Sequence, residues 1–324
     1  MSAPGSPPAV LMGIDTEADD QWSEAGRRRL SVRNAERLPR LQSLCDAFGV
    51  RPSYLVTHEM ATRKESADVL RGLAREGRCE IGAHLHPWTS PPFRPEDASA
   101  HTYPHNLPPD LLERQMADLT AAIEQGLGSR PTTYRAGRNG LDGRSLPILE
   151  RLGYTVDTSV DPLFNERRKG GPAFAGAPLV PYHPDYRDVR RAGGARILEV
   201  PISAATSPPL PKAAEAIYAR LPPIPWRGAL RRLGLRAVWL RPSYAALPDM
   251  VAFASRLARA RVPCFNIIFH SSELLAGGSP YTPDEASVSR FLDDLKRLLE
   301  HLTARLGAVG RTYAQFRTEW DARA

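Results

Sequence analysis

Two short stretches of the chain hold residue types that could do metal chemistry. One is Glu80-Ile81-Gly82-Ala83-His84-Leu85-His86-Pro87-Trp88. Its apolar residues lead into two histidines spaced i, i+2, and residues two apart in an extended backbone point to one face. Pro87 disfavours the helical region for His86, so the extended reading holds that far. Two imidazoles at a strand end can therefore aim at one cation, and histidine is the commonest metal ligand. The other stretch is the apolar run Ala9 to Ile14, followed by Asp15-Thr16-Glu17-Ala18-Asp19-Asp20. If the backbone stays extended for two more residues, Asp15 and Glu17 share a face. Carboxylates at the end of a buried strand are costly unless a cation or a hydrogen-bond network receives them. Aspartates also favour helix N-caps, but Glu24 to Arg29 shows no apolar helix for this cluster to cap. A third position, His270, ends the apolar run Val262 to Phe269. A second pair, His101 and His105, has i, i+4 spacing, which binds metal only from a helical turn. Pro104 biases Tyr103 away from that turn, so this pair ranks below His84 and His86, and both pairs stay open as ligands. His58 follows a strand directly, as a lone histidine in a turn.

Strands and helices alternate in the pattern that must position these groups. Strands are expected at 9–14, 52–57, 79–86, 132–136, 154–159, 196–203 and 262–270, with a last short strand or turn at 312–316. Apolar residues recur at three and four in 34–48, 66–75, 110–125, 141–152, 244–260 and 284–306, which predicts helices. Connections of βα length argue for a parallel sheet with helices outside it. Asp15, Glu17, His84, His86, Arg135, Asp157 and His270 all follow strands. One convergent pocket at the C-terminal ends of barrel strands accounts for all of them together. Residues 208–240, rich in proline and arginine, read as an excursion from the main fold, a lid or a partner surface. The proline loop 89–109 reads as the wall of a substrate groove.

Composition bounds the rest. The 324 residues suffice for one large α/β domain over 9–324, after a leader at 1–8 that reads as disordered. No apolar run is long enough to span a membrane, and the N-terminus lacks the basic and apolar regions of a secretory signal, so a cytoplasmic location is expected. Three scattered cysteines in apolar contexts argue for reduced core residues. The net charge of +7 is carried mostly by arginine, without a dense basic helix interleaved with aromatics, so nucleic acid is not expected as a partner. Peripheral contact with a membrane is compatible with that charge.

In order along the chain, these stretches resemble the motifs of the polysaccharide deacetylases, a family of carbohydrate esterases. Asp15-Thr16-Glu17 resembles the first motif and Glu80 to His84 the approach to the second. Arg135-Ala136-Gly137-Arg138 resembles the third, Asp157-Thr158-Ser159 a degenerate fourth, and Ile267-Ile268-Phe269-His270 the fifth. The runs Ser271-Ser272-Glu273-Leu274 and Gly278-Ser279-Pro280-Tyr281 resemble a subgroup associated with bacterial surface-polysaccharide clusters. The motifs depart from the family pattern at the i, i+2 histidines, at Glu17 and at Ala136-Gly137.

The resemblance implies a distorted (β/α)7-type barrel and a metal-dependent hydrolase that removes an N-acetyl group from an amino sugar. The substrate would be an N-acylated glycan or its lipid-linked precursor. One divalent ion is implied, Zn²⁺ first, with Co²⁺, Ni²⁺ or Mn²⁺ as substitutes, held by Glu17, His84 and His86. Asp15 would be the general base, with Arg135 pairing to it. His270 would be the general acid, oriented by Asp157. Trp88, Phe269 and Ile267 would line the sugar and acetyl pocket, with Arg138 and Asn139 in the turn that receives the substrate. Two alternatives remain: a catalytically degenerate sugar-binding barrel, and a deformylase of a lipid-linked amino sugar.

Overall fold

A computed structural model describes residues 7–75, 77–92, 102–221 and 226–322. His101 and residues 1–6 of the expected leader lie outside the described residues. Seven parallel strands curve into an incomplete barrel. They are β1 (Ala9–Thr16), β2 (Ser53–Val56), β3 (Glu80–Leu85), β4 (Thr133–Ala136), β5 (Val156–Asp157), β6 (Leu198–Glu199) and β9 (Cys264–His270), with β9 beside β1. A short parallel strand, β10 (Val309–Gly310), flanks the start of β1. This is the distorted (β/α)7 barrel expected from the sequence. At the seam between β6 and β9 the ladder gives way to single bonds. Ser203 N–H donates to Asn266 O at 3.2 Å, and Asn266 N–H donates to Ser203 Oγ at 2.9 Å.

Period-two alternation along β1 sorts its side chains between two cores. Val10, Met12 and Ile14 pack outward with helix residues such as Leu38, Leu41 and Cys45. Ala9 and Leu11 point inward, where they meet Val156, Leu198, Val200, Tyr313 and Phe316. The barrel interior is therefore layered. Its floor is apolar and closed by the last helix, Tyr313–Asp321. The helix N-terminus is fixed to β3, where Ala314 N–H donates to Glu80 Oε2 at 3.3 Å.

Above the floor lies a polar layer with Arg135 at its centre, fully buried. Its guanidinium donates to Thr158 O at 2.9 Å, Gly13 O at 3.2 Å, Tyr313 Oη at 3.2 Å and Asp15 Oδ1 at 2.6 Å. Tyr313 in turn donates to Asn266 Oδ1 at 2.6 Å, so β1, β4, β9 and the last helix share one network. A buried charge is tolerated here because it is paired and its donors are satisfied.

Two local expectations fail for one reason, capping. Thr312 to Phe316 is not a strand. Thr312 Oγ1 accepts Gln315 N–H at 3.2 Å and starts the final helix, a T-x-x-Q capping box. Glu24–Arg29 is a helix after all, started by Ser23 Oγ accepting Gly26 N–H at 2.9 Å. The described residues of the excursion, 208–221 and 226–240, form an arm carried on an antiparallel pair of β7 (Ala204–Ser207) and β8 (Arg236–Trp239). It bears the helices Lys212–Arg220 and Gly228–Arg232. No helix of the described residues is long and apolar enough to cross a membrane.

Gly13 is inward-facing, and a Cβ there would run into Arg135 Nη2 and Tyr313 Oη. Gly13→Ala is expected to cost about 1–3 kcal/mol in chemical unfolding, as overpacking does. A variant as stable as the parent would show that the guanidinium layer is not tightly packed.

Candidate metal centre and active-site cavity

The polar layer opens upward into a cavity of about 500 Å³ at the C-terminal ends of the strands. That volume is in the range of small-ligand sites. Asp15, Glu17, His84, His86 and His270 all line it, so β1, β3 and β9 deliver their terminal side chains to one place. His86 Nε2 lies 3.2 Å from Glu17 Oε2, and His84 Nε2 lies 3.8 Å from the same oxygen. One donor atom from each of the three residues lies within 4.8 Å of the others, and all three residues are buried.

Second contacts explain why these atoms are ready to act as ligands. His84 Nδ1 sits 3.0 Å from Arg135 O. A carbonyl only accepts, so Nδ1 carries the proton and Nε2 keeps its lone pair toward Glu17. Glu17 is held by its backbone: its N–H donates to Ser271 Oγ at 3.2 Å, and its carbonyl accepts from Asn34 Nδ2 at 2.9 Å. Next to it, Ala18 N–H donates to Glu59 Oε1 at 3.2 Å. Glu59, not the adjacent His58, is thus the functional neighbour after β2, and His58 does not line the cavity. His86 has no hydrogen-bond partner at Nδ1 among the described residues. Its ring is instead stacked on Trp88, with centroids 4.2 Å apart. Gly137 makes the room for this, since a Cβ there would strike Leu85 O and the His86 ring.

Electrostatics give this donor set a cation's shape. Burial holds the His84 imidazole down at about 4 and pushes His86 well below the usual range, so both are neutral. Burial, then the Asp15 and Glu59 carboxylates, push Glu17 well above the usual carboxylate range. Two neutral imidazoles and a carboxylate that lacks a positive partner fit a divalent ion of the zinc class with open positions.

Asp15 is different. Burial alone would raise it, but Arg135 and then His84 and His270 outweigh burial and hold it at about 2. Arg135 engages Oδ1, whereas Oδ2 faces His84 Nε2 at 3.9 Å and His270 Nε2 at 3.8 Å.

His270 is not oriented by Asp157. Asp157 is paired in register with Tyr134 and Glu199, on the strand face opposite Arg135, and its carboxylate accepts Ser159 N–H and Oγ–H, each at 2.9 Å. The residue at His270 is Glu273: its Oε1 lies 2.9 Å from His270 Nδ1 and accepts His270 N–H at 3.1 Å. Arg241 Nη2 donates to the same oxygen at 2.6 Å and also lies 2.9 Å from His270 Nδ1. Burial opposes ionisation of Glu273, but Arg241 and His270 hold it at about 2. The signal was legible: an acid three residues after the strand-ending histidine, in capping-box spacing. Arg241 had no signal of its own, since it follows the arm.

Phe269 and Ile267 also depart from expectation. Both are fully buried in the outer core, and Phe269 packs edge-on against Phe291. His270 points inward, so by strand alternation its same-face neighbour is Ile268, which does line the cavity. Trp88, Arg138 and Asn139 line the cavity as expected. The Arg138 guanidinium lies 5.2 Å from the Trp88 ring centroid and 5.6 Å from that of Tyr103. The opposite wall went unforeseen. It is a run of edge-on rings, Trp239 to Tyr244 (5.7 Å), Tyr244 to Tyr281 (5.3 Å), Tyr281 to Trp22 (5.5 Å) and Trp22 to His270 (5.0 Å). Trp239 is the last residue of β8, so the arm's hairpin contributes to the site. His105 lies outside the cavity lining, and its partner His101 is outside the described residues.

No protein-family model and no curated protein matches the sequence. Solved structures do share the fold. A protein assigned to the polysaccharide deacetylases of Mycobacterium smegmatis aligns with 100% of this chain and 93% of its own, at TM-score 0.59 and 14% identity. A GH57 branching enzyme from Thermococcus kodakaraensis aligns at TM-score 0.53 and 14% identity, over 97% of this chain and 71% of its own. A 4-α-glucanotransferase from Thermococcus litoralis aligns at TM-score 0.51 and 13% identity, over 96% of this chain and 40% of its own. At such identities the likeness is one of fold, and the fold is that of the polysaccharide deacetylases.

Metal uptake has a definite pH signature. An ion needs the Glu17 carboxylate ionised, and Glu17 is raised, so binding releases a proton and weakens as pH falls through that raised value. The histidines, already neutral, add no such step near their ordinary pKa. Calorimetric Zn²⁺ titrations in buffers of different ionisation enthalpy are expected to show this release, and Glu17→Gln to abolish it. His84→Ala should weaken binding by at least about 100-fold. Proton release that persists in Glu17→Gln would contradict the assignment.

Proposed function

We propose that this chain is a metal-dependent carbohydrate N-deacetylase, a hydrolase that cleaves the acyl C–N bond of an N-acetylated amino sugar. The observation that carries the reading is the convergence, in one aromatic-walled cavity, of a Glu17–His84–His86 ligand set, a buried Asp15 and an oriented His270. A divalent ion bound there supplies Lewis acidity, polarising the acyl carbonyl and lowering the pKa of an attacking water toward about 7.

The chain's own groups do the rest. Asp15 Oδ2, free of Arg135, accepts the proton of the attacking water as the C–O bond forms. Arg135 holds Asp15 below the ordinary carboxylate range, so the transfer is uphill, and the more acidic water that a bound ion would supply narrows that gap. The fixed Arg135 contact keeps Oδ2 aimed and spares reorganisation. Backbone N–H groups of the turn Gly137–Asn139 are the proposed donors to the developing oxyanion, each worth about 3 kcal/mol in comparable sites.

As the C–N bond breaks, His270 Nε2–H protonates the leaving amine. Glu273 Oε1 and Arg241 Nη2 each lie 2.9 Å from His270 Nδ1 and fix the ring with Nε2 toward Asp15 and the cavity. Products are acetate and the free amino sugar. The aromatic walls suit the apolar faces of sugar rings. Asp15 and His270, aimed at one point, support a catalytic reading over an inert sugar-binding barrel, and a deformylase would differ only in the acyl group.

The test is amine release from a panel of N-acetyl and N-formyl amino sugars and their oligomers. Chelation should abolish turnover, and Zn²⁺ or Co²⁺ should restore it. A protein that binds no divalent ion and releases no amine from any member of the panel would end this reading.

His270→Ala is expected to lower kcat by about 100-fold or more with KM nearly unchanged. Glu273→Gln should lower kcat by about 10–100-fold, again without a KM change. Steady-state kinetics on folded variants checks both, and a loss confined to KM would count against the acid–orienter assignment.

A further inference from the structure

We propose that the described residues of the arm, 208–221 and 226–240, form a docking surface for an anionic lipid bilayer. Of the large hydrophobic side chains exposed on the described residues, the three most exposed are Leu233 at 82%, Trp226 at 60% and Ile217 at 60%, and all three belong to this arm. Exposed large apolar side chains concentrated in one segment of the chain mark a contact surface. Trp beside aliphatic side chains is the composition favoured at a membrane–water boundary.

Charge selects the occupant. Lys212, Arg220, Arg231 and Arg232 are exposed on the same arm, and none of them enters an ion pair among the described residues. Glu215 is the arm's single acid, half-buried and engaged by Thr206 N–H at 2.6 Å. A surface of exposed cations and apolar side chains repels a second copy of itself, but matches a sheet of negative headgroups over a hydrocarbon layer. The arm is also tied to the cavity rim. Asn165 Nδ2 donates to Ala219 O at 3.2 Å, and Asn165 lies between the cavity-lining residues Phe164 and Glu166. A bilayer under the arm would thus lie beside the cavity mouth, where an amino sugar on a lipid anchor would present its headgroup. This surface does not depend on the deacetylase reading, because vesicle binding is measured without any sugar.

The experiment is co-sedimentation of the full chain with large vesicles of phosphatidylcholine, with or without about 30% phosphatidylglycerol. Binding to the anionic vesicles is expected to be at least about tenfold tighter than to the neutral ones, and to fall as salt is raised. Arg231→Glu with Arg232→Glu, and separately Leu233→Asp with Trp226→Ser, should each reduce that binding about tenfold or more while circular dichroism and thermal melting stay as in the parent. No preference for anionic vesicles would overturn the proposal. So would arm variants that bind like the parent, or self-association of the parent that the Leu233→Asp, Trp226→Ser variant loses.

Discussion

The arrangement rests on the buried pair of Arg135 and Asp15. Arg135 is the largest fully buried side chain among the described residues, and its charge is sustained by the carboxylate at 2.6 Å and by carbonyl and hydroxyl acceptors of Gly13, Thr158 and Tyr313. Removing either partner would strand a charge in the barrel interior, a loss of about 3–5 kcal/mol. The same residue acts on the site twice. Its side chain keeps Asp15 ionised, and its backbone carbonyl fixes the tautomer of His84. One residue therefore sets the state of a candidate base and of a candidate ligand.

The two sets of carboxylates show how neighbours override burial. Asp15, Glu17 and Glu273 are all buried, yet Asp15 and Glu273 are lowered and Glu17 is raised. Each lowered acid has an arginine against it: Arg135 for Asp15 and Arg241 for Glu273. Glu17 has only imidazoles, which burial keeps neutral. The lack of a directly paired arginine at that one acid is what distinguishes the candidate cation site from the two ion pairs.

Much of this was readable from one sequence. The strand–helix alternation and the sharing of faces by Asp15 with Glu17 and by His84 with His86 follow from the periods of strand and helix, whereas the pairing of Arg135 with Asp15 came from the family resemblance. The errors are instructive because the same rules would have avoided some of them. Placing Phe269 and Ile267 with the inward His270 broke strand parity, which selects Ile268. Assigning Asp157 to His270 put family order ahead of local spacing, which favours Glu273. Other features had no local signal. Arg241 and the ring wall of Trp22, Trp239, Tyr244 and Tyr281 come together only through closure of the barrel and the return of the arm. Contacts of that kind have no period to read.

The ligand set and the acid pair differ in how they are inherited. Glu17, His84 and His86 come from two strands about seventy residues apart in sequence, and the set exists only if both strands keep register. His270 ends β9 and Glu273 lies in the turn that follows, so the pair spans the four residues 270–273, and the backbone of one is bonded to the side chain of the other. Any recombination whose seam falls outside these four residues passes His270 and Glu273 on together, already aligned. Evolution could therefore rebuild the candidate cation site or the aromatic walls piece by piece while this pair travels as one unit.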